Sequence, residues 1–191
     1  MIRLFVAIEL PDAVRARLAR MCAGVPGARW AAPENMHLTL RFIGEVEEPL
    51  VEELVDSLAH VRAPVFELFV ETLGAFDAGG PPHTLWAGVR PDERLHRLQA
   101  KIERATVGCG LKPEGRRYTP HVTLARLKGT TTEAVVQFLA ANQPLREGPF
   151  PISEFAMFSS FLGRSGAIHQ VEAVFALDGG DGDPAWPVAG R

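Results

Sequence analysis

The chain has 191 residues, 47% of them hydrophobic and 23% charged, with a formal net charge of −3. That is enough for one compact domain or two small lobes, and so mild a charge argues against a protein that tracks long nucleic acid by electrostatics alone. Two distant cysteines, Cys22 and Cys109, with no Cys/His cluster, point to a reducing compartment and away from a disulfide scaffold or a structural zinc site.

The opening MIRLFVAIELP is apolar for only about eight residues and has no small-residue cleavage site, so no signal peptide is expected. No later run nears the roughly 20 apolar residues that a membrane span needs. A cytoplasmic protein without membrane contact is expected.

Residues 2–10 alternate as a strand, with Leu4, Val6 and Ile8 on one face and Arg3, Phe5, Ala7 and Glu9 on the other. Pro11-Asp12 opens a helix to about residue 23, stopped by Gly24. A loop with Pro26, Gly27 and Pro33 leads to a strand over 37–43, and Leu50, Leu54, Leu58 and Val61 then mark a helix. A strand runs over 66–70, extending toward 73, before a turn at FDAGGPP and another strand at 84–89. A helix follows over 92–107, ended by Gly108 and Gly110, then a strand over 121–127 and a helix over 132–141. Two strands near 152–159 and 168–177 form the last pair, and 178–191, DGGDGDPAWPVAGR, reads as a Gly/Pro/Asp-rich tail outside a single domain of 1–177. Strands outnumber helices and do not alternate with them regularly, which predicts an α+β fold with antiparallel sheets. Each half contains a helix, a Pro-bearing loop and an H-x-T-L strand, so two similar lobes facing a central cleft are expected.

Those two strands, MHLTLRF from Met36 and PHVTLAR from Pro120, carry the chemistry. Residues i and i+2 of a strand share a face, so His37 points with Thr39, and His121 with Thr123. Leu38, Leu40, Phe42, Val122 and Leu124 are expected to point oppositely into apolar packing. With six His and nine Thr in the chain, about 0.3 H-x-T triplets are expected by chance, so two in strand settings demand an explanation. A phosphodiester supplies one. Its cleavage needs a base for the nucleophile and an acid for the leaving oxygen, and imidazole serves as either near neutral pH. Flanking hydroxyls can donate to the non-bridging oxygens, where charge builds. This chemistry requires no metal ion or cofactor.

The segments RLFVAIELP, NMHLTLRFIGEV, YTPHVTLAR and FAMFSSFLGRSG resemble the two-histidine phosphoesterases, and within them the RNA 2′,3′-cyclic phosphodiesterases, also called 2′–5′ RNA ligases. The resemblance runs to about residue 177. It implies two α+β lobes around a cleft and hydrolysis of RNA 2′,3′-cyclic phosphate ends to 2′-phosphates, with 2′–5′ joining as the same chemistry run in reverse. His37 and His121 would then be the acid–base pair, His37 protonating O3′ and His121 activating water, with Thr39 and Thr123 as phosphate donors. Arg126 matches a position that the family commonly keeps basic. Strict alternation turns it away from His121, so a phosphate role requires a bulge.

Three further residues are candidates for substrate contact. Arg41 shares the His37 face by parity, its alternative being a salt bridge at the cleft rim. Phe5 is placed to stack a base or to pack in the core, and Tyr118 to line the cleft. Between residues 90 and 117 eight Lys or Arg face four Asp or Glu, making that stretch +4 and the remainder −7; it is a solvated helix face or a phosphate-attracting flank. His60, His83, His96 and His169 show no partner spacing, and GGPP at 79–82 and GRSG at 163–166 match no phosphate or dinucleotide fingerprint. The partners expected are RNA ends or small nucleotides bearing a 2′,3′-cyclic phosphate, acted on by a monomer. The motifs address the phosphate and not its substituents, so a 2′–5′ oligonucleotide or a small cyclic phosphate remains open as substrate. A non-catalytic RNA- or nucleotide-binding module remains open too, although a binder needs neither acid nor base.

Overall fold

The computed structural model describes residues 1–77, 79–163 and 166–177. In chain order the elements are β1 (Ile2–Glu9), α1 (Asp12–Arg20), β2 (Ala28–Trp30), a 3-10 turn (Pro33–Asn35), β3 (His37–Val46), α2 (Glu48–Ala59), β4 (Phe66–Phe76), β5 (Thr84–Val89), α3 (Glu93–Gly108), β6 (His121–Leu127), α4 (Thr132–Ala141), β7 (Glu147–Ile152), β8 (Glu154–Gly163) and β9 (Gly166–Ala176). The 178–191 tail and residues 164–165 of the GRSG turn lie outside the described residues. Among the described residues no helix is long and apolar enough to cross a membrane.

Helices α3 and α4 begin where a side chain offers a partner for the first N–H groups. Asp92 accepts from the backbone N–H groups of Arg94 and Leu95 at the start of α3, and Thr131 accepts from Ala134 at the start of α4. Proline stands in the first turn of α2, where its missing N–H costs nothing. Leu95, Leu98 and Ile102 lie on one face of α3 and are fully buried, as are Leu54 and Leu58 of α2.

The strands form one antiparallel sheet in the order β7-β4-β5-β6-β3-β1-β8-β9, with β2 added beside β6. The expected lobes are the two halves of this sheet. One is β3-β1-β8-β9 and the other β6-β5-β4-β7, and they meet where β3 and β6 pair through Leu38 opposite Val122. The expected internal echo is also present: β1 reaches β3 through α1, and β5 reaches β6 through α3. The two motif strands are therefore neighbours at the seam.

Most of the core lies on one face of the sheet, joining Leu4, Val6 and Ile8 of β1 to Leu38, Leu85, Val122 and the helix leucines. Phe5, Ala7, Ala156 and Phe158 form a separate buried cluster on the opposite face, which is the face of the motif histidines. In the other half Trp86 takes the corresponding place, its indole lying against Gly74 of the paired strand β4. A side chain at Gly74 would overlap that indole. Gly74→Ala should therefore lower the melting temperature by about 3–8 °C in a thermal denaturation series; an unchanged value would show that Trp86 is free to move.

Candidate active site

The seam pairing sets the geometry of the motifs. With Leu38 opposite Val122 in antiparallel register, His37 flanks Thr123 and Thr39 flanks His121, and the two histidines stand on a diagonal. Such diagonal neighbours lie about 7–8 Å apart, a span that one phosphate group can bridge. The intervening Leu38 and Val122 are fully buried on the other face, so the alternation expected for both H-x-T triplets holds through the threonines.

Beyond the threonines each strand bulges. In β3 the register passes from Ala7↔Thr39 to Val6↔Arg41, leaving Leu40 unpaired. In β6 it passes from Trp86↔Thr123 to Leu85↔Ala125, leaving Leu124 unpaired. A bulge of one residue exchanges the faces of everything after it. Arg126 is thereby returned to the His121 face, which meets the condition its phosphate role required. Its charge lies close enough to bear on His121.

The bulge in β3 has the opposite consequence for Arg41 and Phe42. Arg41 leaves the His37 face and is 7% exposed, with Nε 2.9 Å from Oε2 of Glu103, Nη1 3.9 Å from Glu114 and Nη2 donating to the Lys112 carbonyl. Of the two expectations for Arg41, the salt bridge is the one present, and two carboxylates already answer its charge. Phe42, expected in the core, is instead 55% exposed and lines the cleft.

Each catalytic candidate sits in an aromatic cradle. The His37 ring stacks on Phe5 at 4.7 Å and meets His169 edge-on at 5.2 Å. Phe5 is 4% exposed, with Phe158 stacked on it at 5.1 Å, so it supports His37 and is closed to a base. His121 is packed edge-on against Phe76 at 4.9 Å, with Trp86 beyond. A cleft of about 580 Å³ opens alongside, lined by Thr39, Phe42, Phe76, His83, Tyr118 and His121 among others. Tyr118 lines it as expected, its hydroxyl donating to the Thr39 carbonyl at 3.2 Å, which ties the loop before β6 to β3.

The histidines are oriented by the backbone just before them. Nδ1 of His121 is 2.7 Å from the Thr119 carbonyl. A carbonyl only accepts, so Nδ1 carries the proton and Nε2 is left with its lone pair for the cleft. His37 makes the equivalent contact with the backbone of Asn35, two residues earlier. Burial lowers His37 to about 3, the charges of His169 and His121 add to the effect, and the Asn35 hydrogen bond opposes it. His121 is lowered as well, first by burial and then by Arg126, against the Thr119 hydrogen bond.

The profile of the 2′-5′ RNA ligase superfamily matches residues 11–161. The chain belongs to that superfamily. An RNA 2′,3′-cyclic phosphodiesterase of Aeropyrum pernix is 37% identical over 161 residues, spanning 81% of this chain and 91% of that protein. One from Archaeoglobus fulgidus is 29% identical over 176 residues, spanning 91% and 99%. Among solved structures, E. coli LigT in apo form superposes with a TM-score of 0.76 at 25% identity, over 92% of this chain and 97% of that one. A protein of Thermus thermophilus superposes with a TM-score of 0.73 at 28% identity, with the same coverage.

Two residues around the motifs of this superfamily member, His169 against His37 and His83 in the cleft, carry no signal in the sequence. His169 reaches His37 only because β9 pairs with β8 and β8 with β1, and Nδ2 of Asn35 clamps that hairpin by donating to the Ala167 carbonyl at 2.8 Å. His83 enters through the turn before β5.

His37 also fixes the sign of one pH effect on stability. Its value is about 3 in the folded chain against an ordinary 6.5, so below pH 6.5 the unfolded chain binds a proton that the folded chain refuses. The stability its neutral burial permits is complete above about pH 6.5 and is lost as pH falls toward 3. Between pH 7 and 4.5 the melting temperature should fall further for the wild type than for His37→Gln; parallel curves would mean that His37 protonates freely in the folded protein.

Proposed function

We propose that this chain hydrolyses RNA 2′,3′-cyclic phosphate ends to 2′-phosphates, using His37 and His121 as an acid–base pair without a metal ion. The observation that carries the reading is the juxtaposition of two H-x-T faces at the β3/β6 seam of a 2′-5′ RNA ligase superfamily member. The names borne by the Aeropyrum and Archaeoglobus relatives support the substrate. E. coli LigT, 25% identical, has been crystallised with phosphate, which supports a phosphate-bearing substrate.

In this reading Nε2 of His121 takes a proton from water as the water oxygen forms its bond to phosphorus. The bond from phosphorus to O3′ breaks, and His37 delivers a proton to O3′, leaving the phosphate on O2′. Thr39 and Thr123 donate to the non-bridging oxygens, and Arg126 adds positive charge where negative charge builds. The bound anion raises both imidazoles, countering the burial that otherwise keeps His37 neutral. Phe42 and Tyr118 offer aromatic surface to the terminal nucleotide. With an RNA hydroxyl in place of water the same pair performs 2′–5′ joining, reversibly and without ATP.

The test is a short RNA ending in a 2′,3′-cyclic phosphate, incubated with EDTA, with identification of the product. A 2′-phosphate should form, and His37→Ala and His121→Ala should each slow its formation by about 10²–10⁴-fold. Tight binding without turnover would identify a binding module, and loss of activity with EDTA would make a metal part of the reaction. The division of labour has its own readout: a substrate whose leaving group needs no proton, such as p-nitrophenolate, should rescue His37→Ala and not His121→Ala. Rescue of His121→Ala instead would exchange the two roles.

A further inference from the structure

Arg126 and Arg41 follow the two motifs at similar distances, yet their charges are met differently. Arg41 is answered by Glu103 and Glu114. Arg126 has no carboxylate within 4.0 Å among the described residues. Its Nη1 donates instead to a neutral group, the hydroxyl of Thr84, at 2.8 Å. Thr84 is the residue directly opposite Arg126 across β5 and β6, and it is 1% exposed.

The hydroxyl has one proton of its own to give. Arg126 can only donate, so it occupies a lone pair of Oγ1 and leaves that proton for another acceptor. Nδ1 of His83 lies 2.9 Å from the same oxygen. In the Nε2–H tautomer of His83 the chain runs Arg126 to Thr84 to His83, with Nδ1 of His83 accepting from the hydroxyl. The buried hydroxyl then both accepts, from Arg126, and donates, to His83, as burial favours.

We propose that Thr84 is a positioning residue for phosphate binding: its buried hydroxyl, ordered by His83, holds the Arg126 guanidinium beside His121 while leaving its charge uncompensated. A carboxylate in the place of Thr84 would hold the guanidinium equally well but would compete with the incoming anion. A valine would fill the same space and leave a long side chain to be ordered only when the substrate arrives, which weakens binding through lost preorganisation. The proposal rests on the assignment of Arg126 to the phosphate. It goes beyond that assignment by naming the groups that make Arg126 ready before substrate arrives.

The experiment compares Thr84→Val, Thr84→Ser, Arg126→Ala and the Thr84→Val/Arg126→Ala pair. It measures KM and kcat on the cyclic-phosphate RNA, and inorganic phosphate binding by titration calorimetry, which needs no turnover. Thr84→Val should raise KM and the phosphate dissociation constant about tenfold with kcat within about threefold. Thr84→Ser should stay within about twofold of wild type. In the Arg126→Ala background Thr84→Val should add nothing. A Thr84→Val protein that binds phosphate like wild type, or an effect that persists without Arg126, would overturn the proposal. Wild-type phosphate affinity in Arg126→Ala would instead sink the assignment of Arg126 itself. Thr84→Ala serves as a second hydroxyl-free variant if Thr84→Val does not fold, with the same expected loss.

Discussion

The site depends on a single backbone pairing, Leu38 opposite Val122. Antiparallel register at that pair places each histidine beside the threonine of the other strand, so neither motif is complete alone. Both bridging side chains are fully buried, and a slip of one residue would turn two imidazoles into the core and two hydrocarbons into the cleft. Apolar packing on one face of the sheet thus enforces the polar arrangement on the other.

Two bulges then decide which guanidinium shares the face of the histidines. Both follow the H-x-T triplets, after Thr39 in β3 and after Thr123 in β6. One turns Arg41 toward Glu103 and Glu114, where it secures the long loop before β6 to the sheet. The other turns Arg126 back beside His121. A guanidinium matched by carboxylates contributes structure, and one met only by a hydroxyl retains its field. The aromatic cradles complete the division: Phe5 and Phe158 behind His37, and Phe76 and Trp86 around His121, exclude water from one side of each ring and so lower both imidazoles.

Much of this arrangement is legible in the order of residues. Period-2 alternation places His37 with Thr39 and His121 with Thr123, and the strands over 84–89 and 121–127 and the helix over 132–141 agree with the structure. What alternation cannot register is an inserted residue. It therefore assigns Phe42 to the core and turns Arg41 to the His37 face, whereas for Arg126 the requirement of a bulge is readable in advance. β7 gives no strand signal because Pro149 and Pro151 interrupt it, which a strand tolerates at the edge of a sheet, where β7 lies. His83 and His169 are invisible for a different reason. Their proximity to the motifs arises from strand order alone, and no spacing along the chain encodes it.

That strand order bears on how the protein comes into being. β1 precedes every other described strand in synthesis, yet its neighbour on the side away from β3 is β8, with β9 beyond. The wall behind His37, made of Phe158 and His169, is the last part of the described chain to be synthesised. Until the final hairpin docks, β1 presents an unpaired edge and His37 lacks its Phe158 and His169 neighbours. A growing chain therefore displays both H-x-T motifs well before its first histidine acquires the dry setting that distinguishes the finished site, and vectorial synthesis itself orders the maturation of the two halves.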